Sequence, residues 1–175
     1  MTTANKLTIM RVVLVPVYII LMLVFESKIP ALIVFIIASL TDLLDGQIAR
    51  RRNQITDFGK FMDPLADKLL VTSALVLFVQ LGQMPAWAVM VIIAREFAVS
   101  GLRMVAAASG DVIAAAWSGK IKTASSIVCI CIMMTPLCPA DSVLNLICIA
   151  VMVISTVVSG VEYFWKNGAI LLKKE

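Results

Sequence analysis

The chain has 175 residues, 61% of them hydrophobic and 15% charged, and its mean hydropathy of +1.01 lies far outside the range of a soluble domain of that size. It contains no histidine, which excludes imidazole general bases, Ser-His-Asp triads and His-ligated zinc or haem, so acid–base chemistry falls to carboxylates or lysine. A formal charge of +4, without basic runs interleaved with aromatics, fits anionic lipid headgroups and not nucleic acid.

A helix needs about 20 mostly apolar residues to cross a bilayer, and six such blocks follow one another along the chain. The first covers about residues 7–25 and is too long for a signal peptide, so it is expected to stay as a transmembrane helix. The second runs from about residue 30 into the Asp42 region, the third over about 58–81, the fourth over about 85–108, the fifth over about 112–136 and the sixth over about 142–165. The expected fold is all-α, a polytopic membrane protein with six transmembrane helices forming one catalytic domain over residues 1–175. Cys129, Cys131, Cys138 and Cys148 lie in or near apolar blocks without a CxxC pair and read as packing residues. With both termini in the cytoplasm, Arg50, Arg51, Arg52, Lys173 and Lys174 fall on the inner side and Lys28 alone in an outer loop, as the positive-inside rule requires.

The inner end of the second block reads Thr41-Asp42-Leu43-Leu44-Asp45-Gly46-Gln47-Ile48-Ala49-Arg50. At about 100° per residue, Asp42, Asp45, Gly46 and Ala49 share one helical stripe: two carboxylates beside two residues with almost no bulk. Beyond the basic turn, Gly59, Asp63 and Asp67 recur at spacings of four on a second stripe. A carboxylate inside a transmembrane helix costs about 2.5 to 3.5 kcal/mol, and four converging ones repel one another unless a cation lies between them. All-oxygen, anionic ligation suits Mg²⁺ or Mn²⁺, and four acids can hold two ions. Such ions neutralise phosphate charge during phosphoryl-type transfer. Ordinary ion pairing of these acids with Arg50, Arg51, Arg52, Lys60 and Lys68 is the bland alternative, but it requires no small residues at Gly46, Ala49 and Gly59.

The assembled pattern, Asp42-x2-Asp45-Gly46-x2-Ala49-Arg50-x8-Gly59-x3-Asp63-x3-Asp67, resembles the complete signature of the CDP-alcohol phosphotransferase family, with no departure at its eight fixed positions. The resemblance implies six transmembrane helices, usually in a homodimer. It further implies that Asp42, Asp45 and Asp63 bind metal, that Asp67 completes the site and takes the proton of the acceptor hydroxyl, and that Gly46, Ala49, Arg50 and Gly59 border the CDP moiety. Asn5, Thr8 and Arg11 match an Asn-x2-Thr-x2-Arg opening common in that family and are expected near the nucleotide phosphates, unless Asn5 or Thr8 caps the first helix.

Arg95, Arg103, Lys120 and Lys122 fall in the fourth and fifth blocks, where Glu96 and Asp111 are the acids in or beside them. The surplus of positive charge suits an acceptor that itself carries phosphate, such as glycerol 3-phosphate, with snorkelling to the headgroups as the alternative. The strings Ile93-Ala94-Arg95-Glu96-Phe97 and Gly119-Lys120-Ile121-Lys122-Thr123 are similar to those of bacterial family members that use this acceptor. The expected reaction moves the phosphatidyl group from CDP-diacylglycerol to glycerol 3-phosphate at the cytoplasmic face of a bacterial plasma membrane. The rivals are a family member with another acceptor, inositol phosphate or serine, and an ion transporter. Against the transporter, the acids lie at one end of two helices and not at the midplane.

Overall fold

The computed structural model describes the backbone of residues 3–52, 57–108 and 116–168, and the side chains of residues 9–41, 68–107 and 116–168. Six helices make up the described chain: α1 (Thr3–Leu23), α2 (Lys28–Arg52), α3 (Asp57–Gln80), α4 (Ala86–Ala108), α5 (Trp117–Met133) and α6 (Val143–Asn167). No strand occurs among the described residues. Each helix falls on one of the six apolar blocks. The largest extension is in α2, which continues as helix past the end of its apolar run through the acidic stretch to Arg52.

α1 packs between α2 and α3, and α6 packs against α4 and α5. Tyr18 of α1 joins the first group: its ring meets Phe35 of α2 edge to face at 6.0 Å, and its hydroxyl donates to Ser73 Oγ of α3. Buried alanines at 31, 38, 74 and 88 let neighbouring helices approach closely, and Phe78, Ile92, Ile130, Met133 and Met152 fill the centre.

α3 stops at Gly82, whose φ of +69° is a left-handed conformation that glycine adopts at little cost. Gln83 N–H then bonds back to Phe78 O at 2.8 Å and Gly82 N–H to Val79 O at 3.1 Å, which satisfies the last carbonyls of the helix. Gln83 is buried and donates Nε2 to Met133 O at 3.0 Å and to Cys138 O at 2.9 Å. Asn145, in the first turn of α6, donates Nδ2 to Gln83 O at 2.8 Å and to Ala140 O at 2.9 Å. The α3–α4 and α5–α6 connections are therefore latched together at one end of the bundle. Asn145→Ala leaves the buried Gln83 carbonyl without this donor and removes a second, partly buried bond to Ala140 O, so it is expected to cost about 1–3 kcal/mol. A several-degree fall in the thermal midpoint in detergent, with turnover at low temperature unchanged, is the result to look for.

The surface is inverted relative to a water-soluble bundle. Val13, Val17 and Ile20 line the outside of α1, Met90, Phe97 and Met104 that of α4, and Leu146, Ile154 and Val161 that of α6. Arg11, Lys122, Asn145, Thr156 and Ser159 are buried inside. By length and composition, α6 alone among the described residues is long and apolar enough to cross a membrane, with a mean hydropathy of 2.3 over its best window. Shorter apolar helical stretches cover Ile9–Leu23, Lys28–Thr41 and Lys68–Gln80. α4 carries Arg95, Glu96 and Arg103 within its length, and those charges separate its composition from that of α6.

Candidate active site

The end of the bundle opposite the latch collects the charged side chains. The first contributors are the acidic helices. Asp42, Asp45, Gly46, Ala49 and Arg50 lie on the helical backbone of α2, and Gly59, Asp63 and Asp67 on that of α3, so the spacing argument for two stripes applies to the folded chain. Asn5 and Thr8 lie on α1. The side chains of these ten residues fall outside the described set. Their described neighbours are ordered by contacts within and between helices: Thr41 Oγ1, one residue before Asp42, donates to Ile37 O at 2.7 Å, and Lys68 Nζ, one residue after Asp67, donates to Ser100 Oγ of α4.

The second contributor is a cation cluster on α4 and α5. Glu96 Oε1 accepts from Arg95 Nη1 at 3.1 Å and from Lys122 Nζ at 2.6 Å. Lys122 is 3% exposed, and burial of an ammonium is tolerated because the carboxylate meets it. Arg95 also donates Nη2 to Ser159 Oγ of α6, while its Nε is buried and meets no acceptor among the described residues. Two turns further along α4, Arg103 donates Nε to Tyr163 Oη at 2.9 Å and lies over that ring, 5.4 Å from its centroid. Lys68, Glu96, Lys122, Thr123 and Ser126 line a cleft between α3, α4 and α5, and Ser126 Oγ is buried there without a partner among the described residues.

Of the four basic residues expected around an acceptor phosphate, Arg95 and Lys122 meet at one carboxylate, and Arg103 follows on the same helix. Lys120 is placed differently: like Arg103 it is exposed, but its Nζ lies 4.7 Å from the centre of the Trp117 ring on its own helix. Alternate residues on a helix point to different faces, so Lys120 and Lys122 share a string but not a contact. Sequence reasoning did not find Ser100, Ser159 or Tyr163. Each meets its partner across at least 32 positions of chain, and no local pattern announces such a contact.

The cluster has the chemistry of an anion site: guanidinium and ammonium groups preset on rigid helices, an unused donor at Arg95 Nε, and one carboxylate that balances the charge while no anion is bound. It is unsuited to a metal, and no group of three or more His, Cys, Asp or Glu lies within reach of a common ion among the described residues. The donor set that fits a hard divalent cation is the aspartate quartet of α2 and α3, four oxygen donors with no nitrogen or sulfur ligand alongside.

The model for the family described as CDP-alcohol phosphatidyltransferase matches residues 1–161. A Bacillus subtilis (strain 168) protein named CDP-diacylglycerol–glycerol-3-phosphate 3-phosphatidyltransferase is 47% identical, with 95% of each chain covered. A Mycobacterium tuberculosis (strain ATCC 25618 / H37Rv) protein named as a probable phosphatidylglycerophosphate synthase is 37% identical over 91% of this chain and 78% of its own. An Escherichia coli (strain K12) protein with the same name as the Bacillus one is 40% identical over 70% of each chain.

Proposed function

The chain belongs to the CDP-alcohol phosphatidyltransferase family, and on that premise we propose that it is a phospholipid-synthesising enzyme that transfers the phosphatidyl group of CDP-diacylglycerol to glycerol 3-phosphate, releasing CMP and phosphatidylglycerol phosphate. The observation that carries the choice of a phosphate-bearing acceptor is the pairing of Arg95 and Lys122 at Glu96, a cationic cluster next in space to the helix that bears Asp63 and Asp67, and the names of the relatives favour glycerol 3-phosphate over inositol phosphate. A neutral acceptor such as serine would leave that charge without use, whereas a phosphate monoester answers it.

Asp42, Asp45, Asp63 and Asp67 would hold Mg²⁺ or Mn²⁺, two ions being suited to four carboxylates, and Asn5, Thr8, Gly46, Ala49, Arg50 and Gly59 would border the CDP moiety. The bound metal supplies charge neutralisation at the pyrophosphate. The protein's own residues do the rest. Arg95, Lys122 and Arg103 hold the acceptor's phosphate and so fix its terminal hydroxyl. Asp67 takes the proton of that hydroxyl as its oxygen bonds to the phosphorus bearing diacylglycerol. The bond from that phosphorus to the CMP phosphate oxygen breaks, and CMP leaves with the electron pair. Lys120 stays at the rim, its ammonium directed outward over Trp117.

The setting is a bilayer, crossed six times, with both termini and the charged end on the cytoplasmic side of a plasma membrane, and with two chains forming a homodimer. The support is the apolar exterior of the described helices and the placement of the tryptophans. Trp87 is exposed at the latch end, and Trp117 and Trp165 are exposed at the charged end, as interfacial residues of a spanning bundle would be.

Purified protein supplied with CDP-diacylglycerol and Mg²⁺ is expected to release CMP with glycerol 3-phosphate and not with serine or inositol phosphate, and to stop on addition of chelator. Turnover with serine instead would overturn the acceptor assignment. Metal uptake into proteoliposomes without lipid turnover would overturn the enzyme assignment altogether.

A further inference from the structure

We infer that Ser159, Gly160 and Tyr163 of α6 are positioning residues, which set the guanidinium groups of Arg95 and Arg103 for the acceptor phosphate; the inference rests on the acceptor-phosphate reading of those two arginines. An arginine side chain has about 2 kcal/mol of rotamer entropy to lose, and a site that fixes it in advance spares an incoming anion that cost. α6 does the fixing at two places one turn apart.

At the first, Arg95 crosses from α4 through a slot between small residues. A Cβ at Gly160 would lie 3.2 Å from Arg95 Cγ, and one at Gly119 of α5 would lie 3.9 Å from Arg95 Nη2. Gly160 sits within α6, where glycine costs about 1 kcal/mol relative to alanine, and the passage of the arginine stem accounts for its presence. Ser159, 1% exposed, then accepts from Nη2 while Glu96 accepts from Nη1. Two of the three guanidinium nitrogens are thereby anchored, while Nε is enclosed without an acceptor among the described residues.

At the second place, Tyr163 lies four residues after Ser159, on the same helical face. Its hydroxyl accepts from Arg103 Nε and its ring lies under the guanidinium, so an otherwise exposed arginine is held at two points by one residue of α6. Tyr163 is 2% exposed and packs with Val99 and Leu102 of α4. It lies past residue 161, where the match to the family model ends.

The test compares Ser159→Ala, Gly160→Ala and Tyr163→Phe with Arg95→Ala and Arg103→Ala in full-length protein, measuring initial rates against glycerol 3-phosphate and against CDP-diacylglycerol separately. Tyr163→Phe keeps the ring and its packing and removes one hydrogen bond to a charged group, so the KM for glycerol 3-phosphate should rise about five- to tenfold with kcat and the KM for CDP-diacylglycerol within about twofold of wild type. Ser159→Ala should behave alike, and Gly160→Ala should raise the same KM by crowding the arginine stem. If the two arginine variants raise that KM and the α6 variants do not, or if Tyr163→Phe shifts both substrates' KM values together, the positioning role is wrong and the acceptor assignment stands. If the arginine variants themselves leave that KM unchanged, the acceptor assignment fails first.

Discussion

Asp67→Asn is expected to lower CMP release by about 10²- to 10⁴-fold, the usual contribution of a positioned proton acceptor. The amide matches the carboxylate in size, so helix α3 and its neighbours need not move, yet it accepts no proton at neutral pH and carries no charge toward a cation. Asp67 also closes the Gly59, Asp63, Asp67 stripe of α3, and loss of its charge removes one of four oxygen-donor carboxylates. The loss should therefore appear in kcat with every acceptor tried, and excess Mg²⁺ should not restore it. Circular dichroism and the thermal midpoint in detergent serve as controls for folding. A variant that retained more than about a tenth of wild-type turnover would remove Asp67 from the proton-transfer role.

Arg95→Ala is expected to act on one substrate only. Truncating one member of a half-buried, hydrogen-bonded charge group costs about 2–3 kcal/mol, toward the lower end for such groups, so the KM for glycerol 3-phosphate should rise by on the order of 10²-fold while that for CDP-diacylglycerol stays close to wild type. The substitution strips Glu96 of one of its two cations and Ser159 of its donor. Arg95→Lys is the sharper comparison. An ammonium keeps the charge but cannot span Glu96 and Ser159 with a planar fork, so it should fall between wild type and alanine. Equal loss for both substrates in Arg95→Ala would mean general disruption and would end the acceptor-site reading of this residue.

What the sequence disclosed and what it withheld divide along physical lines. The six helices were legible because each apolar block is long enough to demand a helix and is bounded by charged, proline or glycine positions, as at Gly82. The Glu162–Lys166 ion pair is of the same local kind, since i,i+4 neighbours share one helical face. The acidic stripes rest on the same arithmetic, and the helical backbone of α2 and α3 preserves it. Tertiary partnerships were not legible. Glu96 reads in the sequence as one acid among too many bases, and only the approach of α5 to α4 makes it the shared partner of Arg95 and Lys122. The different fates of Lys120 and Lys122 depend on the rotation of α5 against its neighbours, which spacing alone does not determine. Ser159 and Tyr163 looked like ordinary members of an apolar terminal helix until α4 was packed against it.

The inversion of the surface changes what holds such a fold together. In the bilayer proposed above, acyl chains would solvate Met90, Phe97 and Ile154 equally well whether the helices were assembled or dispersed, so those side chains would favour insertion without favouring association. Association must then be driven by close packing at Ala31, Ala38 and Gly160 and by the few directional contacts of Gln83, Asn145, Tyr18 and Arg95. Several of the contacts that keep the helices from drifting apart in the plane of the lipid are thus the ones that hold the charged end in shape, and a substitution that weakens the chemistry there also loosens the assembly.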